Sequence, residues 1–156
     1  MFFCKHRGNG LECQSMNLNF KKLHPDTKVP TYAHPFDAGF DVYSIGEIDV
    51  PIGGRVAVPT GLALEIPDGY VGLVWDKSGM SFRHGLKTLG GVIDSGYRGE
   101  IQIGLVNLGD AKYVIHKGDK IAQILIQKVE QATFQEVEEL SDTSRGEGGF
   151  GSSGKS

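Results

Sequence analysis

Apolar and polar positions alternate in short runs from Met16 to about Leu140, and the runs are punctuated by Gly, Pro, Asp and Asn. A period of two over four to nine residues is the mark of strands with one buried face. The pattern predicts strands at 17–23, 39–43, 55–58, 61–66, 70–75, 91–94, 99–107, 111–116, 120–128 and 133–138. In NLNFKKL, Leu18, Phe20 and Lys22 fall on one side. In Glu100-Ile101-Gln102-Ile103-Gly104-Leu105 the alternation is clean, and Ile101, Ile103 and Leu105 share a face. Pro51, Pro59 and Pro67 sit at strand ends, where a missing N–H does no harm. Only Ser78 to His84 can hold a helical turn or two. No strand–helix–strand alternation occurs, which disfavours a doubly wound sheet. The expected class is all-β, a sandwich or barrel with one short helix.

Composition sharpens this reading. The 156 residues include 23 glycines, about twice the usual ~7%. Glycine is costly inside helices and useful in turns or where backbone approaches a ligand. The length fits one domain, and no apolar run nears the ~18 residues of a membrane helix. A net charge of −3 argues against nucleic-acid or membrane-surface binding. Cys4, Cys13 and His6 fit no standard zinc spacing. Nothing asks for an oxidising compartment, and the opening MFFCKHRGNG is too short and polar for a signal peptide, so a cytoplasmic protein is expected. Residues 1–15 read as a disordered N-terminal extension, 16–140 as the β-domain, and 141–156 (SDTSRGEGGFGSSGKS) as a flexible C-terminal arm.

Four segments carry candidate chemistry. Residues 149–156 match the phosphate-loop pattern G-x-x-x-x-G-K-S, but no helix follows Ser156, so a nucleotide-binding P-loop is not expected. Serial Gly and Ser amides beside Arg145 and Phe150 can still wrap a phosphate and stack on a base. Gly90-Gly91-Val92-Ile93-Asp94-Ser95-Gly96-Tyr97-Arg98-Gly99-Glu100 reads as a hairpin whose Asp94 is either a turn former or a general base. Asp76-Lys77-Ser78-Gly79 offers a cation, a hydroxyl and a small residue to phosphate oxygens, or else an N-cap serine. In Gly118-Asp119-Lys120-Ile121-Ala122-Gln123-Ile124-Leu125, the lone Gln123 either satisfies a backbone group or reaches a ligand.

Together with Ala38-Gly39-Phe40-Asp41-Val42, these segments resemble the five ordered motifs of the trimeric dUTPase family. GGVIDSGYRGE and RGEGGFGSSG are the most specific. The second motif departs, with Lys77 where the family most often has Arg, which loses bidentate geometry. The resemblance implies a homotrimer of β-clip, distorted jelly-roll-like barrels with active sites shared between subunits. It implies hydrolysis of dUTP to dUMP and pyrophosphate with Mg²⁺, lowering dUTP and supplying dUMP for thymidylate synthesis. Carried over, Asp94 would be the base, Tyr97 would stack under the deoxyribose, and backbone at Gly91 and Gln102 would read uracil. Lys77, Ser78, Gly79 and Gln123 would meet the phosphates. Arg145, Gly151 and Ser152 would close over the β- and γ-phosphates, with Phe150 over the uracil. Asp41 would support the hydrated Mg²⁺ through water. A dCTP deaminase of the same fold and a regulatory protein-binding relative are the alternatives.

Overall fold

Thirteen short strands and one helix make up the computed structural model, which describes residues 3–7, 10–14 and 16–149, the first two stretches in their backbone alone. In chain order the strands are β1 (Phe3–Arg7), β2 (Gly10–Gln14), β3 (Asn19–Lys22), β4 (Phe40–Tyr43), β5 (Ile48–Val50), β6 (Arg55–Pro59), β7 (Leu62–Glu65) and β8 (Tyr70–Trp75). Helix α1 (Ser78–His84) follows, then β9 (Leu86–Leu89), β10 (Val92–Ile93), β11 (Gln102–Asn107), β12 (Tyr113–Ile115) and β13 (Lys120–Lys128). They form a sheet of order β10-β8-β13-β4, a sheet of order β6-β11-β9, and the pairs β12-β5, β3-β7 and β1-β2. Every pairing is antiparallel. This is the expected all-β class, a distorted jelly roll with one short helix.

The core draws on both larger sheets and on the pairs β12-β5 and β3-β7. Ile101, Ile103 and Leu105 are buried there, as the alternation requires. They meet Val42, Val50, Val58, Leu62, Leu86, Ile115, Ile121 and Ile124 in one cluster. Full burial of such a side chain contributes about 1.5–3 kcal/mol. At one edge of the core Asn107 is wholly buried. Its Nδ2 donates to Val50 O (3.0 Å) and Ala111 O (2.8 Å), while its Oδ1 accepts from Gly109 N (2.9 Å). One amide thus pins three loop and strand-end segments.

Four local expectations differ from the structure. Residues 133–138 are not a strand: Phe134 and Val137 are 98% and 52% exposed, and among the described residues no strand pairs with them. β5 and β9 were not anticipated, since three or four residues are too few to display a period. Backbone in the segment expected as a disordered extension pairs as β1 with β2. Finally, the predicted hairpin at 91–107 does not exist. β10 pairs with β8, while β11 pairs with β6 and β9, so the two arms of the turn enter different sheets. Among the described residues no helix is long and apolar enough to cross a membrane.

Candidate active site

The parting of β10 from β11 opens a cavity of about 470 Å³, lined by Gly91 to Asp94 on one side and Glu100 to Gly104 on the other. That size is within the ~300–1,000 Å³ range of small-ligand sites. Strand β9 reaches β11 only from Gly104 onward. The Ile101–Ile103 stretch therefore has no ladder partner on that side, which leaves backbone groups to face a ligand. Gly91 has φ of +118°, and a Cβ there would stand 3.1 Å from Val74 O. Its own carbonyl accepts from Val74 N at 2.8 Å. Only glycine supplies this conformation cheaply so close to a neighbouring strand.

Asp94 and Tyr97 sit on the loop between the two arms and line the same cavity. Tyr97 N donates to Asp94 O at 3.1 Å, which closes the turn. The Asp94 side chain is exposed at the rim. The Tyr97 hydroxyl donates to Glu100 O at 2.9 Å and fixes the ring across the foot of the loop. Arg98 braces the loop backbone by donating to Ser95 O (2.5 Å) and Tyr97 O (3.0 Å). The sequence-derived set Gly91, Asp94, Tyr97 and Gln102 thus converges on one cavity. Among the described residues its lining holds two carboxylates, Asp94 and Glu100, and no lysine or arginine.

The remaining polar candidates gather elsewhere, where β4, β13 and the start of α1 meet. The Asp41 side chain is only 3% exposed. Its Oδ1 accepts from Lys77 Nζ at 2.5 Å, and its Oδ2 faces Lys120 Nζ at 2.6 Å. Burial alone would raise the Asp41 pKa; the Lys120 and Lys77 ammoniums reverse this and hold it below the ordinary carboxylate value. The same contact raises Lys120 above the usual lysine value. A single ammonium cannot grip both carboxylate oxygens as a guanidinium fork does. Here two lysines share that task.

Gln123 Nε2 donates to Asp76 O at 2.9 Å, so this glutamine does satisfy a backbone group. Gly39 gives it room, since a Cβ there would lie 2.9 Å from Gln123 Oε1. The Asp76 carboxylate in turn accepts from Thr88 N and Oγ1 (2.7 Å each) and from Lys87 Nζ (2.7 Å), tying the strand end to β9. Burial raises its pKa and these donors more than reverse the effect. Ser78 and Gly79 open α1, but the capping position is Lys77 and makes no side-chain cap bond, so the N-cap reading of Ser78 fails. Lys120, Asp76 and Gly39 lie within the candidate segments but carry no assigned role from the sequence, because their partners lie far away along the chain.

Arg145 stands apart from both groups. It is exposed, and its Nε donates to Gly148 O at 2.7 Å within a local turn. Phe150, Gly151 and Ser152 lie outside the described residues. The described residues include no group of three His, Cys, Asp or Glu that could hold a metal. Both oxygens of Asp41 face lysine ammoniums, Oδ1 toward Lys77 and Oδ2 toward Lys120.

Comparison with known proteins places these features in context. The sequence model of the dUTPase family matches residues 26–154. A deoxyuridine 5'-triphosphate nucleotidohydrolase of Thermobifida fusca is 46% identical over 143 residues, covering 90% of this chain and 80% of its own. The dUTPase of Staphylococcus bacteriophage 80alpha, solved with dUpNHpp, superposes with a TM-score of 0.86 at 31% identity, over 90% of this chain and 100% of the other. A mutant dUTPase of phage phi11 of S. aureus, described for its coordination of a structural Mg(II) ion, gives a TM-score of 0.75 at 28% identity, over 80% of this chain and 98% of the other.

Proposed function

The chain belongs to the dUTPase family and is a dUTP nucleotidohydrolase, and we propose that water attacks the α-phosphorus of dUTP held in the cavity between β10 and β11. Asp94 takes a proton from the water, whose oxygen bonds to the α-phosphorus. The bond to the bridging oxygen breaks, and pyrophosphate leaves with the electron pair, giving dUMP. Such phosphoryl chemistry depends on positioning and charge neutralisation more than on covalent steps. The observation that carries this reading is the convergence of Asp94, Tyr97, Gly91 and Gln102 on one cavity.

Uracil is read by the backbone near Gly91 and Gln102, which rejects a 4-amino group through a mismatched donor. Tyr97 stacks under the sugar, where a 2′-hydroxyl would collide. A cavity whose lining among the described residues holds two acids and no base cannot by itself hold a triphosphate. This supports a homotrimer in which Lys77, Ser78, Gly79 and Gln123 of one subunit, with Arg145, Phe150, Gly151 and Ser152 of an arm, complete the site of another. Exposed Phe134 and Leu140, and the apolar groove of Met16, Leu18, Phe20, Val29 and Tyr32, also support assembly. Mg²⁺, carried in by the triphosphate, would neutralise phosphate charge. We place the enzyme in the cytoplasm. The deaminase alternative gains no support from these relatives.

The test is pyrophosphate release from dUTP, dCTP, dTTP and UTP offered separately, with Asp94→Asn as control. Release from dUTP alone, lost in the variant at unchanged fold, is expected. Full turnover by Asp94→Asn would remove Asp94 from the mechanism.

A further inference from the structure

Gly99 ends the loop that carries Asp94 and Tyr97. Its φ is outside the left-handed region, so backbone freedom does not require glycine there. Space does. A Cβ at position 99 would stand 2.6 Å from Cζ and 3.0 Å from Cε2 of Tyr97, and closer still to the hydroxyl oxygen. The nearest atoms are thus all in the tyrosine ring, which lies against the bare Cα with its hydroxyl tied to Glu100 O. The ring is 48% exposed and has room to swing outward. The loop backbone is held separately, by Arg98 on Ser95 O and Tyr97 O and by the Arg98–Glu65 ion pair at 3.6 Å. A methyl group at position 99 would therefore displace the ring while leaving the loop in place.

We infer that Gly99 is a positioning residue for substrate selection: its missing side chain sets the plane and depth of the Tyr97 ring in the cavity, and through it the preference for deoxyribose over ribose. The inference rests on the reading that Tyr97 packs under the sugar. It explains why the foot of the loop is glycine although its backbone is ordinary.

The test measures kcat/KM for dUTP and for UTP in the full-length enzyme, Gly99→Ala, Tyr97→Ala and the double variant. Gly99→Ala should lower the dUTP/UTP ratio about tenfold or more, because ångström-scale misplacement of a contact group is costly. On the Tyr97→Ala background the same change should alter the ratio by less than about twofold, since no ring remains to be moved. Circular dichroism and thermal melting should show a folded Gly99→Ala protein. A ratio kept by Gly99→Ala but lost by Tyr97→Ala would overturn the role of Gly99 alone. Equal losses on both backgrounds would also overturn it, as would failure of Gly99→Ala to fold, which would place the contact in the backbone. A ratio unchanged in Tyr97→Ala would remove the reading of Tyr97 and the inference with it.

Discussion

Replacing Asp41 by Asn keeps the shape of a nearly buried side chain and removes the charge that Lys77 and Lys120 share. Breaking a fully buried ion pair by removing one partner costs about 3–5 kcal/mol. Here the lysines are 28% and 45% exposed and can turn their ammoniums to water, which recovers part of that loss. The expected cost is therefore about 2 kcal/mol. For a chain of this length that lowers Tm by about 4–8 °C. The assay is thermal unfolding at one fixed protein concentration, followed by circular dichroism from neutral to acid pH. The sign follows from the depressed pKa of Asp41, whose ordinary value is 3.8. Its stabilisation is complete above the unfolded value and disappears as pH falls through the lower folded value. The gap between the two proteins should thus be full at neutral pH and shrink toward the acid end. A gap below about 1 °C at pH 7, or one that stays constant on acidification, would refute the two-lysine clamp.

Three further outcomes are expected. Asn107→Leu leaves two carbonyls and one amide without their partner in a closed site, and should cost about 3 kcal/mol in denaturant unfolding. Gly91→Ala forces a side chain into φ of +118° and toward Val74 O, costing about 1–3 kcal/mol; Michaelis constants should show weaker dUTP binding. Deleting residues 145–156 should leave Tm within about 2 °C, because the hydrogen bonds of Arg145 are local, while kcat/KM for dUTP falls about a hundredfold or more.

The sequence reveals most of the strand inventory because burial in a sheet imposes a period of two, as Ile101, Ile103 and Leu105 demonstrate. What it hides is which sheet each strand joins. The turn at Asp94 looks like a hairpin because both flanks are apolar, yet its arms pair with β8 and with β6 and β9. That divergence creates the cavity. Asp94 and Tyr97 were legible because one contiguous motif carries them. The Asp41–Lys120 pair was not, because the register of β4 against β13 brings it together. Phe134 misled in the other direction: its alternation is that of a strand, but no partner strand exists within the described chain.

The most direct test of attack at the α-phosphorus is turnover of dUTP in ¹⁸O-labelled water, with the products separated and weighed by mass spectrometry. One labelled oxygen in dUMP and none in pyrophosphate is the expected result, abolished by Asp94→Asn. Label in pyrophosphate would move the attack to the β-phosphorus, and with it Asp94 out of the role assigned here.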